Sequence, residues 1–107
     1  MKVMTKIELK KAQTKSVMEM LINKYNAYNI EDEMGGRISF FIDSKLDNTF
    51  QCEYHRSNQD ISIAQNVKLT GNGWSVDEIN EAAEADQYET LLNKEVETIL
   101  KLDLVTQ

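Results

Sequence analysis

Hydrophobic residues change their spacing twice along this chain of 107 residues, and each change marks a change of secondary structure. Val17, Met18, Leu21, Ile22, Tyr25 and Tyr28 recur at steps of three and four, which places them on one stripe of a helix. From Arg37 the period drops to two. Ile38, Phe40 and Ile42 alternate with other residues, as do Phe50, Cys52 and Tyr54. Ile61, Ile63, Val67 and Leu69 continue the pattern, with Gln65 as the exception. Such alternation is that of an antiparallel meander, apolar on one face and wet on the other. After Trp74 the spacing becomes helical again. Pro is absent, and the glycines stand near these switches, as Gly35-Gly36 and as Gly71 with Gly73. The expectation is one α+β domain over 1–107. It has a helix over 5–30, a three-stranded sheet over 37–69 and a helical arm over 75–103, in the order α-β-β-β-α-α.

Capping signals refine these limits. Thr5 and Glu8 have capping-box spacing, in which a hydroxyl accepts from the third helical amide. Ser75 and Glu78 repeat it, with Trp74 and Ile79 at the hydrophobic-staple positions. Asp86 and Glu89 form a third box. Val76, Ile79 and Ala83 cluster on one side of a helical projection, and Tyr88, Leu91, Leu92, Val96 and Ile99 on roughly the opposite side. The spacing therefore predicts two helices, over about 76–85 and about 87–102, with a turn between them. Phe41 points away from the apolar side of its strand and needs a cover.

Net charge is −6, distributed unevenly. Residues 1–28 hold six Lys and two Glu, whereas residues 75–107 hold nine acids and two bases. Asp77, Glu78, Glu81, Glu84, Asp86 and Glu89 crowd a stretch without a base. Such acids fit a solvated helix face, with those of the first turn favoured by the helix dipole. They also fit a surface that docks into the basic groove of a nucleic-acid-handling protein. Trp74 either closes the staple or anchors that contact. Lys2, Lys6 and Lys10 are in i, i+4 register, and with Lys15 they form either a solubilising face or a phosphate-contacting patch.

Little in the sequence suggests catalysis. One Cys and one His make neither a disulfide framework nor a His/Cys zinc site. Cys52 and His55, three apart on a strand, face opposite ways and make a poor nucleophile–base pair. Asp43, Ser44, Asp47 and Asn48 read as turn chemistry rather than a calcium loop. The glycines fit no phosphate-cradling motif. No enzyme activity, metal or cofactor is expected. No apolar run of membrane-spanning length and no signal-like segment is present, so a cytoplasmic setting is expected.

Plentiful Asn, Lys, Ile and Glu, no Pro, and one acidic α+β domain resemble small proteins of phages and mobile elements from low-GC Gram-positive bacteria. Within that group the chain is similar to anti-CRISPR proteins, which inhibit type II RNA-guided nucleases. The stretch from Trp74 to Glu89 carries the likeness. The resemblance implies direct binding to the nuclease in the bacterial host cytoplasm, blocking guide-RNA or DNA engagement.

Three readings follow. The first is an inhibitor that binds a basic protein through residues 77–89. The second is a nucleic-acid-binding accessory protein that uses the N-terminal lysines. The third is a homo-oligomeric assembly protein whose basic and acidic ends meet between protomers.

Overall fold

The computed structural model describes residues 5–64 and 76–105, with the side chains of the last helix described over 80–102. The order is α1 (Lys6–Tyr25), β1 (Tyr28–Glu33), β2 (Arg37–Asp43), β3 (Thr49–His55), β4 (Asp60–Ile63) and α2 (Val76–Val105). The strands form one antiparallel sheet in the order β1-β2-β3-β4. The α+β class is as expected. The sheet has four strands where three were predicted, and α2 is one helix where two were predicted.

Thr5 caps α1 as its spacing foretold, its hydroxyl accepting from the Glu8 amide at 3.1 Å. The predicted continuation to residue 30 fails at Asn26, which adopts a left-handed conformation (φ 56°). The amides of Asn26 and Ala27 both return to the Leu21 carbonyl and close the helix. Asn tolerates this conformation through its short polar side chain. Tyr28, read as part of the helical stripe, instead opens β1. A bulge between Tyr28 and Glu31, with Asn29 at φ 50°, shifts the pairing with β2. Gly35 and Gly36 supply the positive φ values, 87° and 76°, of the tight β1–β2 turn.

α2 runs through Asp86 because residues 81–85, Glu-Ala-Ala-Glu-Ala, are strong helix formers, and one Asp costs little inside such a run. The two apolar sets were expected to conflict, yet Ala83 and Leu91 are both left exposed. The buried stripe is Ala85, Leu92 and Val96, with Tyr88, Ile99 and Leu100 beside it. The predicted strand residues Val67 and Leu69, and Gly71 and Gly73, lie outside the described residues.

Both helices pack on one sheet face. Val17 and Leu21 of α1 and Leu92 and Val96 of α2 meet Phe40, Ile42, Cys52, Tyr54 and Ile61 in a single core. Burying each of the larger side chains stabilises the fold by roughly 1.5–3 kcal/mol. Lys24 of α1 pairs with Glu95 of α2.

The β4 edge is closed by side chains of α2. Asn93 accepts from the Ile61 amide at 2.7 Å and donates to the Ile61 carbonyl at 2.9 Å, as a neighbouring strand would. Two residues on, the Ile63 amide donates to Glu89 Oε2 at 3.3 Å. The opposite edge, β1, has no strand beside it among the described residues.

Candidate functional site

Within the acidic stretch of α2, Glu84 and Glu89 turn toward the sheet. Glu84 is buried at 8% exposure and accepts from Asn48 Nδ2 at 2.9 Å. Asn48 is held in turn by Ser44, whose hydroxyl accepts from the Leu46 and Asn48 amides. Glu84 thus ties the β2–β3 turn to α2. Glu89 is half-buried and engaged with β4. Glu81 and Asp86 are exposed. Trp74, Asp77 and Glu78 lie outside the residues whose side chains are described. Helical phase explains these two placements: the stripe that buries Ala85, Leu92 and Val96 carries Glu84 and Glu89 toward the sheet with it.

The sheet face opposite the helices also collects acidic side chains. Strand alternation and register bring Glu31 and Glu33 of β1, Asp43 of β2, Glu53 of β3 and Asp60 of β4 onto it. Arg37 and His55 are the bases there, with Arg37 Nη1 3.8 Å from Glu53 Oε1. No described element packs over this face. At its β1–β2 side Tyr28 stacks on Phe41, with ring centroids 5.8 Å apart and planes 25° from parallel. Tyr28 is thus the cover that Phe41 required. Its hydroxyl donates to Asp43 Oδ1 at 2.9 Å, which raises the phenol pKa because the phenolate would lose that bond and face the carboxylate. Thr49 donates to the same oxygen at 3.0 Å, so the aromatic pair is pinned at its polar end.

His55 and Ser62 meet on the same face, with Nε2 2.9 Å from the hydroxyl oxygen. A nucleophilic serine needs a base whose other nitrogen is oriented by a third group. Here the nearest carboxylate, Glu53, approaches the same Nε2 at 3.9 Å. The contact is a cross-strand pair rather than a catalytic dyad. Cys52 lies on the opposite side, fully buried, where burial and the Glu89 charge push its thiol pKa up to about 12. A thiol so placed is not a nucleophile near neutral pH. Among the described residues no cluster of His, Cys, Asp and Glu is arranged to hold a metal ion. No described helix is long and apolar enough to cross a membrane.

The lysines of α1 divide. Lys6, Lys10 and Lys15 are all exposed, and Lys2 lies outside the described residues. Lys10 and Lys15 line a cleft between α1 and the sheet, joined by Lys11 and Arg56, which the i, i+4 register of the first lysines did not single out; Lys6 does not line it. Arg56 was hidden because it comes from the β3–β4 turn and reaches the cleft only through the fold.

The open sheet face was equally hidden. Glu31 and Glu33 fall between the predicted helix and the predicted sheet, and only their place on a strand aligns them with Glu53 and Asp60. Compared with known proteins, the chain matches no family model, no curated protein and no solved structure.

Proposed function

We propose that this chain is a non-catalytic inhibitor that binds a basic, nucleic-acid-handling protein, and that the uncovered sheet face is its docking surface. An RNA-guided nuclease is the partner that the anti-CRISPR resemblance implies. The reading rests on one observation: Glu31, Glu33, Asp43, Glu53 and Asp60 share a face that no described element covers, with Arg37 as its only full cation among the described residues. Carboxylates at strand spacing present a flat array of acceptors to the Lys and Arg side chains that otherwise hold phosphates. The stacked Tyr28–Phe41 pair adds an aromatic patch on which a guanidinium can lie. Charge of this kind chiefly accelerates encounter and selects basic partners, and the aromatic patch adds desolvated contact.

The test compares the tagged protein with its Glu31→Lys/Glu53→Lys variant in pull-downs from host lysate, with and without nuclease treatment. The native chain is expected to recover a basic nucleic-acid-handling protein, released by moderate salt, and the variant to lose it. Equal recovery by both would remove the sheet face as the docking surface. Recovery that requires intact nucleic acid would overturn the protein-directed reading.

A further inference from the structure

On the other side of the molecule, the N-terminal half of α1 and the end of the sheet enclose a cleft of about 590 Å3. We propose that this cleft is a second binding site, which takes the phosphodiester backbone of a single-stranded nucleic acid. Ile7, Lys10, Lys11 and Lys15 line its helix wall, and Asp32 and Arg56 its sheet wall. Register explains how Asp32 comes there: it pairs with Ile38, whose side chain faces the core. The Arg56 guanidinium is ion-paired to Asp32, and the Arg56 amide is anchored to the Gly36 carbonyl at 2.9 Å. Close by, Gln59 donates to Gln13 Oε1 at 2.8 Å and joins the β3–β4 turn to α1. The sheet wall is therefore held in place before any ligand arrives.

The helix wall carries three positive charges. None of the three lysines forms an ion pair with a described residue. Like charges at i, i+4, as in Lys11 and Lys15, slightly destabilise a helix. Ile7, also lining the cleft, is left 69% exposed. A ligand that carries regular negative charge and flat apolar faces satisfies both features. Lys10 and Lys15 are separated by about 7.5 Å along the helix axis. Adjacent phosphates of a nucleic-acid strand are separated by a distance of the same order, so neighbouring phosphates can meet both lysines, with bases free to lie against Ile7. Acidic peptide side chains place their charges less regularly. The acidic sheet face is on the opposite side of the molecule, and at physiological salt charges more than about 8 Å apart are largely screened.

The inference stands apart from the proposed function, because its test involves no protein partner. Fluorescence anisotropy of a fluorescein-labelled oligouridylate is followed as a function of salt. Three lysine–phosphate contacts, at about −0.7 each, predict a slope of log Kobs against log salt of about −2. The triple variant Lys10→Gln/Lys11→Gln/Lys15→Gln should bring the slope near zero. These positions are exposed on a helix, and Gln has nearly the helix propensity of Lys, so the fold is retained and circular dichroism verifies it. Lys45→Gln, in the β2–β3 turn, should leave the slope unchanged. Three outcomes would overturn the proposal: no binding at low salt, an unchanged slope in the triple variant, or an equal loss in Lys45→Gln. Polyglutamate displacing the oligonucleotide with higher affinity would also overturn it and assign the cleft to acidic protein segments.

Discussion

Replacing Asn93 by Ala should open the β4 edge. In the native protein the Asn93 amide holds both the N–H and the C=O of Ile61, at 2.7 and 2.9 Å. Each hydrogen bond contributes about 1 kcal/mol net, and a buried backbone group left without a partner costs about 1–3 kcal/mol. The site is half-buried, so water restores part of this. Ala gains up to about 0.7 kcal/mol in helix propensity over Asn. The expected net loss is therefore about 1.5–3 kcal/mol. For a chain of this size a urea m-value of about 1.5 kcal/mol/M converts it to a midpoint lower by roughly 1–2 M, read by circular dichroism. Hydrogen exchange should accelerate at the Ile61 amide first, since that group loses its acceptor. Asn93→Asp keeps the acceptor and loses the donor, so Ile61 should stay protected relative to the Ala variant. An Asn93→Ala midpoint within about 0.3 M of the native one, with Ile61 exchange unchanged, would refute the reasoning, because two lost hydrogen bonds demand more.

Three further outcomes follow from the same geometry. Glu84→Ala should cost about 1–3 kcal/mol in thermal unfolding and Glu81→Ala less than about 0.5, because only Glu84 is buried and bonded to Asn48; equal effects would contradict that placement. Cys52 should resist thiol-reactive disulfide reagents in the native protein and react in urea, and prompt labelling without denaturant would show that it is not buried as described. Stability should fall as pH rises from about 9 toward 12. Cys52 moves from 9.0 to about 12 chiefly through burial, and Tyr25 from 10.0 to about 12 through burial and then Glu95. Both groups are held neutral when folded and ionise more readily when unfolded, so their contribution is intact below the unfolded values and lost through this window. A urea midpoint constant across it would contradict the assignment.

Much of the fold was legible because hydrophobic period is a local property. Ile38, Phe40, Ile42, Phe50, Cys52 and Tyr54 alternate in sequence and all turn inward in the structure. The Thr5 cap was legible for the same reason. β1 was not, because Tyr28 extends the i, i+3 spacing from Tyr25 while Asn26, a weak stop signal, ends the helix between them. The break predicted at Asp86 rested on spacing alone, and tertiary packing chose a stripe through Ala85 instead. The candidate surfaces were the least legible part. Glu84 looked like its acidic neighbours until the position of Asn48, far away in sequence, gave it a partner. The acidic sheet face likewise depends on which residues four strands bring side by side.

The most direct test of the central claim, that the sheet face rather than α2 receives basic partners, is an NMR titration. The 15N-labelled protein is titrated with a short arginine-rich peptide, and amide shifts are followed residue by residue. Shifts concentrated at Tyr28, Glu31, Phe41, Gln51 and Glu53 are predicted. Shifts confined to Glu81, Asp86 and Glu97 on α2, with the sheet amides unmoved, would contradict the account.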